Sequence, residues 1–178
     1  MRKQISVILV LLASIYLLDN VIKFNVDRLP KSKPTPVEQF MDRIAEIESD
    51  GNHRVVNRYG MMGKYQFAPS TVRMLGFRVS QQEFLRDPEL QDTVMFRYMR
   101  ENYRELHNLI ERYDGKTHHG IRITRAGILA GAHFAGSQGV RQYLLSSSDP
   151  NGITDGNGTT IRTYMRHFSN FSLPPLKL

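Results

Sequence analysis

A chain of 178 residues with 40% apolar and 23% charged side chains is one globular domain with a short extension, long enough to bury a core and too short for two ordinary domains. Its 24 Lys and Arg against 17 Asp and Glu leave +7 at neutral pH and a pI near 9.8, which favours a polyanionic partner such as nucleic acid, anionic lipid or bacterial cell wall. Cysteine is absent, which excludes disulfides, thiolate metal sites, a catalytic thiol and a lipobox, so stability rests on packing.

Arg2 and Lys3 precede an apolar run from Ile5 to Leu18, the layout of a secretory signal or signal anchor. No small-x-small cleavage site follows, and Val21, Ile22 and Phe24 keep the stretch moderately apolar, so residues 1–24 read as an uncleaved anchor in preference to a cleaved signal. The basic start and lack of periodicity disfavour a buried amphipathic helix of the domain. Export to the periplasm or cell envelope follows, with residues 1–24 attaching the chain to the inner membrane. Residues 25–35, with Pro30, Pro34 and two lysines, read as a linker. The domain is placed at 36–172, with 173–178 as a C-terminal tail.

Pro36 suits the first turn of a helix running to about Ser49, after which Gly51, Gly60 and Gly63 punctuate an irregular stretch. Pro69 and Ser70 open a short helix that stops near Gly76. Ser80 and Glu83 have capping-box spacing, and Asp87-Pro88 starts the longest helix, which is expected to reach Tyr113 with Leu90, Val94, Tyr98, Leu106, Leu109 and Ile110 as its apolar positions. Thr124 caps a small-residue helix through Ala135, Gly139 to Leu145 make another, and Thr159 or Thr160 starts a last one ending near Phe168. No alternating segment exceeds a few residues. The fold is therefore mainly α, with an irregular glycine-rich region or small hairpin beside the cleft and no internal repeat.

Glu48 stands out in this pattern. At about 100° per residue, Val37, Phe40, Met41, Ile44 and Ile47 share one arc of the first helix, and Glu48 projects into its centre, whereas Glu46 points away. A carboxyl there is partly stripped of water and sits near the negative end of the helix dipole, so it should hold its proton longer than a surface Glu and suit general-acid chemistry. The alternative is a helix that frays before Glu48 and leaves an ordinary solvated end.

Glu48-Ser49, then Gly63-Lys64-Tyr65-Gln66-Phe67, then Ala132-His133-Phe134-Ala135-Gly136, and finally Tyr164 together resemble the motif series of soluble lytic transglycosylases, which have the goose-type lysozyme-like fold. The likeness runs from Val37 to Phe168 and includes Asn57, Tyr59-Gly60 and Pro69-Ser70-Thr71. The resemblance implies that Glu48 is the catalytic acid, that Ser49 orients it and the sugar's acetamido group, that Gln66 lines the cleft and that Tyr164 steadies the catalytic carboxyl. Two motifs depart from the family. Its Ala-Tyr-Asn-Ala-Gly is here Ala132-His133-Phe134-Ala135-Gly136, so a ring replaces a cleft amide. Its Gly-Leu-Met-Gln has Lys64 and Tyr65 at the centre, expected to add charge and a stacking surface for sugar. Of the aromatic residues near these motifs, Tyr65 and Tyr164 are the favoured sugar contacts, with Phe67, Phe134 and His133 as further wall residues; Tyr59 is a weaker candidate.

Cleaving a β-1,4 glycosidic bond requires protonating the leaving oxygen and stabilising an oxocarbenium-like sugar, which ordinary glycosidases do with two carboxylates. No second carboxylate is obvious here. Asp50 follows the acid too closely, and Asp149 and Asp155 fall in a Gly/Asn-rich loop expected to be solvated. The resemblance supplies a one-carboxyl route: the substrate's N-acetyl group stabilises the cation, and Glu48 then takes a proton from the C6 hydroxyl to close a 1,6-anhydro ring. A muramidase-type hydrolase on the same cleft, favoured if Asp155 or Asp149 folds across it, and an inactive cell-wall-binding module stay open. Peptidoglycan is the expected partner and no cofactor is implied; oligomeric state has no readable signal. His118-His119 lacks carboxylate partners at helical spacing and reads as solvated, with no metal. Arg97, Arg100 and Arg104, flanked by Glu101 and Glu105, read as a solvated face, and no nucleic-acid motif is present.

Overall fold

The computed structural model describes residues 33–147, 153–155 and 158–176, all but Lys33 belonging to a folded unit at Pro34–Leu178. Helix α1, Pro36–Ser49, starts on a capping box in which Thr35 accepts from the Glu38 N–H at 3.2 Å while the Glu38 carboxylate accepts from the Thr35 N–H at 2.6 Å. Thr35, assigned above to the linker, thus takes part in the first helix of the domain. Helices α2 (Pro69–Met74) and α3 (Gln81–Arg86) are single short pieces, the latter opened by the expected Ser80–Glu83 box.

The expected long helix is two. Helix α4, Pro88–Glu105, stops where Leu106 takes φ −96° and ψ 7°, and α5 resumes over His107–Tyr113. Leu106, Leu109 and Ile110 all sink into the core, on the one face that positions i, i+3 and i+4 share, so the buried side continues across the bend. A two-stranded antiparallel sheet follows, β1 at Thr117–His118 and β2 at Ile121–Arg122. It lies outside the glycine-rich region expected to hold a hairpin. That region instead has only the isolated bridges Val56–Met62 and Met62–Phe67. His118 and His119 are half-buried rather than solvated; their rings lie 3.9 Å apart and both meet Tyr143.

Thr124 caps α6, Arg125–Leu145, accepting from the Gly127 N–H at 3.1 Å. The helix is broken at Gly136 (φ 73°, ψ 160°), between the two pieces read from the sequence. Thr160 caps α7, Ile161–His167, and a 3₁₀ turn at Phe168–Asn170 closes the described helices. Helices α6 and α7 meet so closely that a β-carbon on Gly127 would lie 2.6 Å from the Met165 carbonyl oxygen, so no larger residue fits there. The core gathers Phe40 and Ile44 of α1, Val94 and Met99 of α4, Ile128 and Val140 of α6, and Phe168. Leu173 and Leu176 are also buried in it, and Arg125 donates to the Leu173 carbonyl at 2.7 Å. The expected C-terminal tail is therefore partly built into the domain.

The expected membrane anchor, residues 1–24, lies outside the described residues; among the described ones, no helix is long and apolar enough to cross a membrane.

Arg43 donates from Nε to His167 Nε2 at 2.9 Å, tying α1 to the end of α7. Burial first, then the Arg43 charge, hold His167 below its usual 6.5, with Glu46 opposing. The folded state therefore binds this proton less readily than the unfolded chain. Stability is complete above the unfolded value and is lost as pH falls through the lower folded one. His167→Gln is expected to flatten the fall in Tm between about pH 7 and about pH 5; an unchanged slope in thermal melts would count against this assignment.

Candidate active site

Helix α1 aims Glu48. Four residues beyond the fully buried Ile44, its side chain keeps 24% exposure and lines a cleft of about 360 Å³. The helix holds through Glu48 rather than fraying: it ends on Asp50 at φ 52°, and the Gly51 N–H donates to the Ala45 carbonyl at 3.1 Å. Ile47, expected on the buried arc, instead lines the cleft beside it.

The turn Gly63–Gln66 forms the floor. Met62 and Phe67 exchange backbone hydrogen bonds at 2.9 Å in both directions, and the turn between them requires positive φ at Gly63 (77°) and Gln66 (50°). The Gln66 side chain lines the cleft and donates to the Gly63 carbonyl at 2.8 Å. Beneath the turn lies Gln91 of α4, a fully buried amide. Its oxygen accepts from the Lys64 N–H at 2.8 Å, and its nitrogen donates to the carbonyls of His53 (2.9 Å) and Phe84 (2.8 Å). Ser49 adds a second tie by donating to the Lys64 carbonyl at 2.9 Å. That hydroxyl is thus engaged with backbone rather than with Glu48.

Tyr65 does not offer the expected stacking face. It is 1% exposed, its hydroxyl donates to Asp92, and burial together with Asp92 pushes its ionisation up. Lys64 likewise pairs with Asp92 at 2.8 Å instead of adding free charge to the cleft. The geometric reason is the positive φ at Gln66, which brings that side chain to the cleft while its neighbour goes under the turn. Tyr59 takes the exposed place: it is 62% exposed at the cleft, on a turn whose Tyr59 and Met61 N–H groups both donate to the Asn57 side chain.

The opposite wall comes from α6 and α7. His133, 5% exposed, sets Nε2 3.1 Å from Glu48 Oε1. Phe134 stacks on Tyr164, with centroids 3.8 Å apart and planes at 7°. Tyr164 donates to Asp155 Oδ2 at 2.5 Å rather than to Glu48, and Asp155 Oδ1 accepts from the Thr159 N–H at 2.9 Å. Burial, the Asp155 bond and the charges of Asp155 and Glu48 all push Tyr164 ionisation up, so it remains a hydrogen-bond donor. Asp155 lines the cleft and is not in a solvated loop as expected; Asp149 is outside the described residues. Phe67 and Tyr98 complete the wall, and burial raises the Tyr98 phenol as well. Among the described residues, no three potential ligands come together to hold a metal ion.

A family model described as the transglycosylase SLT domain matches residues 30–151, more than half of the chain. The chain belongs to that family. The SLT assignment agrees with the mainly helical, lysozyme-like fold and brings with it lytic transglycosylase chemistry on peptidoglycan in its general form. Glu48, Gln66, His133 and Phe134 fall inside the matched stretch, whereas Asp155 and Tyr164 lie beyond it. Neither the curated proteins nor the solved structures give a significant match.

Sequence reasoning passed over Gln91 in this SLT site, and weighed Asp155 only as a carboxylate that could fold across the cleft, not as the partner of Tyr164. An amide within an amphipathic helix looks like any solvated position, and only the three segments converging on Gln91 reveal its use. Asp155 carried one available signal, its place nine residues before Tyr164, but contact between them depends on the bridge pairing Thr154 with Thr160.

Proposed function

We propose that this domain cleaves the β-1,4 bond between N-acetylmuramic acid and N-acetylglucosamine and forms a 1,6-anhydro product, with Glu48 acting first as acid and then as base. The supporting observation is the contrast between the two cleft carboxyls. Glu48 has one oxygen held by His133 and the other without a hydrogen bond among the described residues, whereas both oxygens of Asp155 accept hydrogen bonds. In this reading the Glu48 proton passes to the glycosidic oxygen as the C1–O bond breaks, and its electron pair stays with that oxygen. The C6 hydroxyl then attacks C1 and gives its proton back to Glu48, so no water is consumed. Gln66, Phe67, Phe134, Tyr164 and Tyr59 would contact sugar, and the positive net charge favours an anionic wall polymer. The N-terminal segment fits an exported protein held at the membrane; a phosphatase reporter fused after residue 35 is expected to be active outside the cytoplasm, and activity only of a cytoplasmic reporter would overturn that placement.

The position of Asp155 favours one second reading, a hydrolase in which that carboxylate assists water. Digesting peptidoglycan with the full chain in water labelled with heavy oxygen separates the two by mass spectrometry. Unlabelled anhydro ends are expected; labelled reducing ends would establish hydrolysis, and undigested glycan would leave binding alone.

A further inference from the structure

We infer that His133 is a positioning residue for Glu48: as a neutral imidazole with its proton on Nε2, it donates to Oε1 and thereby places the acid proton on Oε2, the oxygen left for substrate. This rests on Glu48 being the acid, as proposed above, and concerns a residue at a position where the resembled family has tyrosine.

The imidazole is fixed on all sides. The rings of Phe67, Tyr98 and Phe134 meet it edge-on, with centroids at 5.7, 5.8 and 5.2 Å and planes at 84°, 80° and 89°. Its Nε2 is 3.1 Å from Glu48 Oε1, while Nδ1 is buried and has no partner among the described residues. The alternative tautomer would bury that N–H with no acceptor and also set a bare Nε2 against the accepting Oε1 of the carboxylate at 3.1 Å, leaving both ring nitrogens unmet, whereas the Nε2–H tautomer leaves only Nδ1 bare. An imidazolium would keep the Nε2 bond but bury a charged N–H without a partner; an unmet buried group costs about 1–3 kcal/mol, and more when charged. The proton therefore belongs on Nε2.

That assignment fixes the acid. Oε1 is occupied as an acceptor, so a protonated Glu48 carries its hydrogen on Oε2. When that hydrogen leaves for the glycosidic oxygen, the Nε2–H bond becomes charge-assisted and strengthens as carboxylate charge develops. The proton taken later from the C6 hydroxyl returns to Oε2. No proton passes through the imidazole, which distinguishes this role from that of a general base.

The test compares His133→Gln, whose amide nitrogen can stand where Nε2 stands, with His133→Phe, which fills the ring cage without a donor. With peptidoglycan as substrate, His133→Phe is expected to lose about 10- to 100-fold in kcat with KM nearly unchanged, and His133→Gln to recover most of it. Equal rates for His133→Phe and wild type, or a His133→Gln enzyme as slow as His133→Phe, would overturn the inference. Nitrogen-15 NMR of the histidine-labelled full chain reads the tautomer without any substitution; a protonated Nδ1 in the resting protein would likewise overturn it. Glu48→Gln keeps the two questions apart: if that variant turns over normally the proposed function fails, whereas an inactive Glu48→Gln beside a fully active His133→Phe refutes only the role of His133.

Discussion

Glu48→Gln is expected to lower peptidoglycan turnover by about 1,000-fold or more while leaving Tm within about 2 °C of wild type. The amide keeps the size and one acceptor oxygen, so the Nε2–H of His133 still has a partner, but it has no proton of suitable acidity to give the leaving oxygen. In the proposed mechanism the same carboxyl takes a proton back in the second step, so both halves of that reaction would lose their agent. Release of soluble fragments from purified peptidoglycan measures the first quantity, and a thermal melt the second. A variant that still solubilised the wall at more than about a tenth of the normal rate would remove Glu48 from the chemistry. An equal loss in a variant that had also unfolded would carry no such information, which is why the conservative amide is preferred to alanine.

Gly63→Ala should be the most damaging small substitution near the cleft. A β-carbon there would stand 2.4 Å from Gln91 Oε1 and 2.7 Å from its Cδ, and the backbone sits at φ 77°. The Gln91 amide is not free to swing aside, because its nitrogen is committed to the carbonyls of His53 and Phe84. Either the turn lifts or the amide abandons its bonds and leaves the half-buried Lys64 N–H unmet. Strain and lost hydrogen bonds together amount to about 3 kcal/mol, or about 10 °C in Tm for a domain of this size. Activity should fall as well, since the same turn carries Gln66. A melt within about 2 °C of wild type would mean that the turn yields far more easily than its bonding suggests.

Much of the helical frame was legible. Pro36, the Ser80–Glu83 pair, Thr124 and Thr160 are local signals whose meaning does not depend on distant residues, and each marks a helix start in the fold. The break near Gly136 was also readable, because a glycine among small residues interrupts an otherwise continuous helix. Leu106 was not. Nothing local separates a leucine that continues a helix from one that bends it towards a core whose shape is fixed by other elements.

The site was readable in part for the same reason. The position of Glu48 follows from one helix period, so the cleft face could be placed from spacing alone. Tyr65 against Tyr59 was decided by backbone sign at Gly63 and Gln66, and by an Asn57 side chain that turns Tyr59 outward; composition cannot distinguish two tyrosines in one loop. The partner of Tyr164 was likewise a tertiary outcome, since Asp155 reaches it only after the Thr154–Thr160 bridge forms.

The cleft floor hangs on a carboxamide, and a carboxamide neither gains nor loses charge at any acidity a cell envelope meets. The Gln91 side chain is fully buried, and its three hydrogen bonds, to neutral backbone groups, carry no net charge for mobile ions to screen. The amide tie under Gln66 is thus indifferent to acid, alkali and brine, and whatever sensitivity the turn shows towards them must originate in its ionising tie, Asp92 with Lys64 and Tyr65.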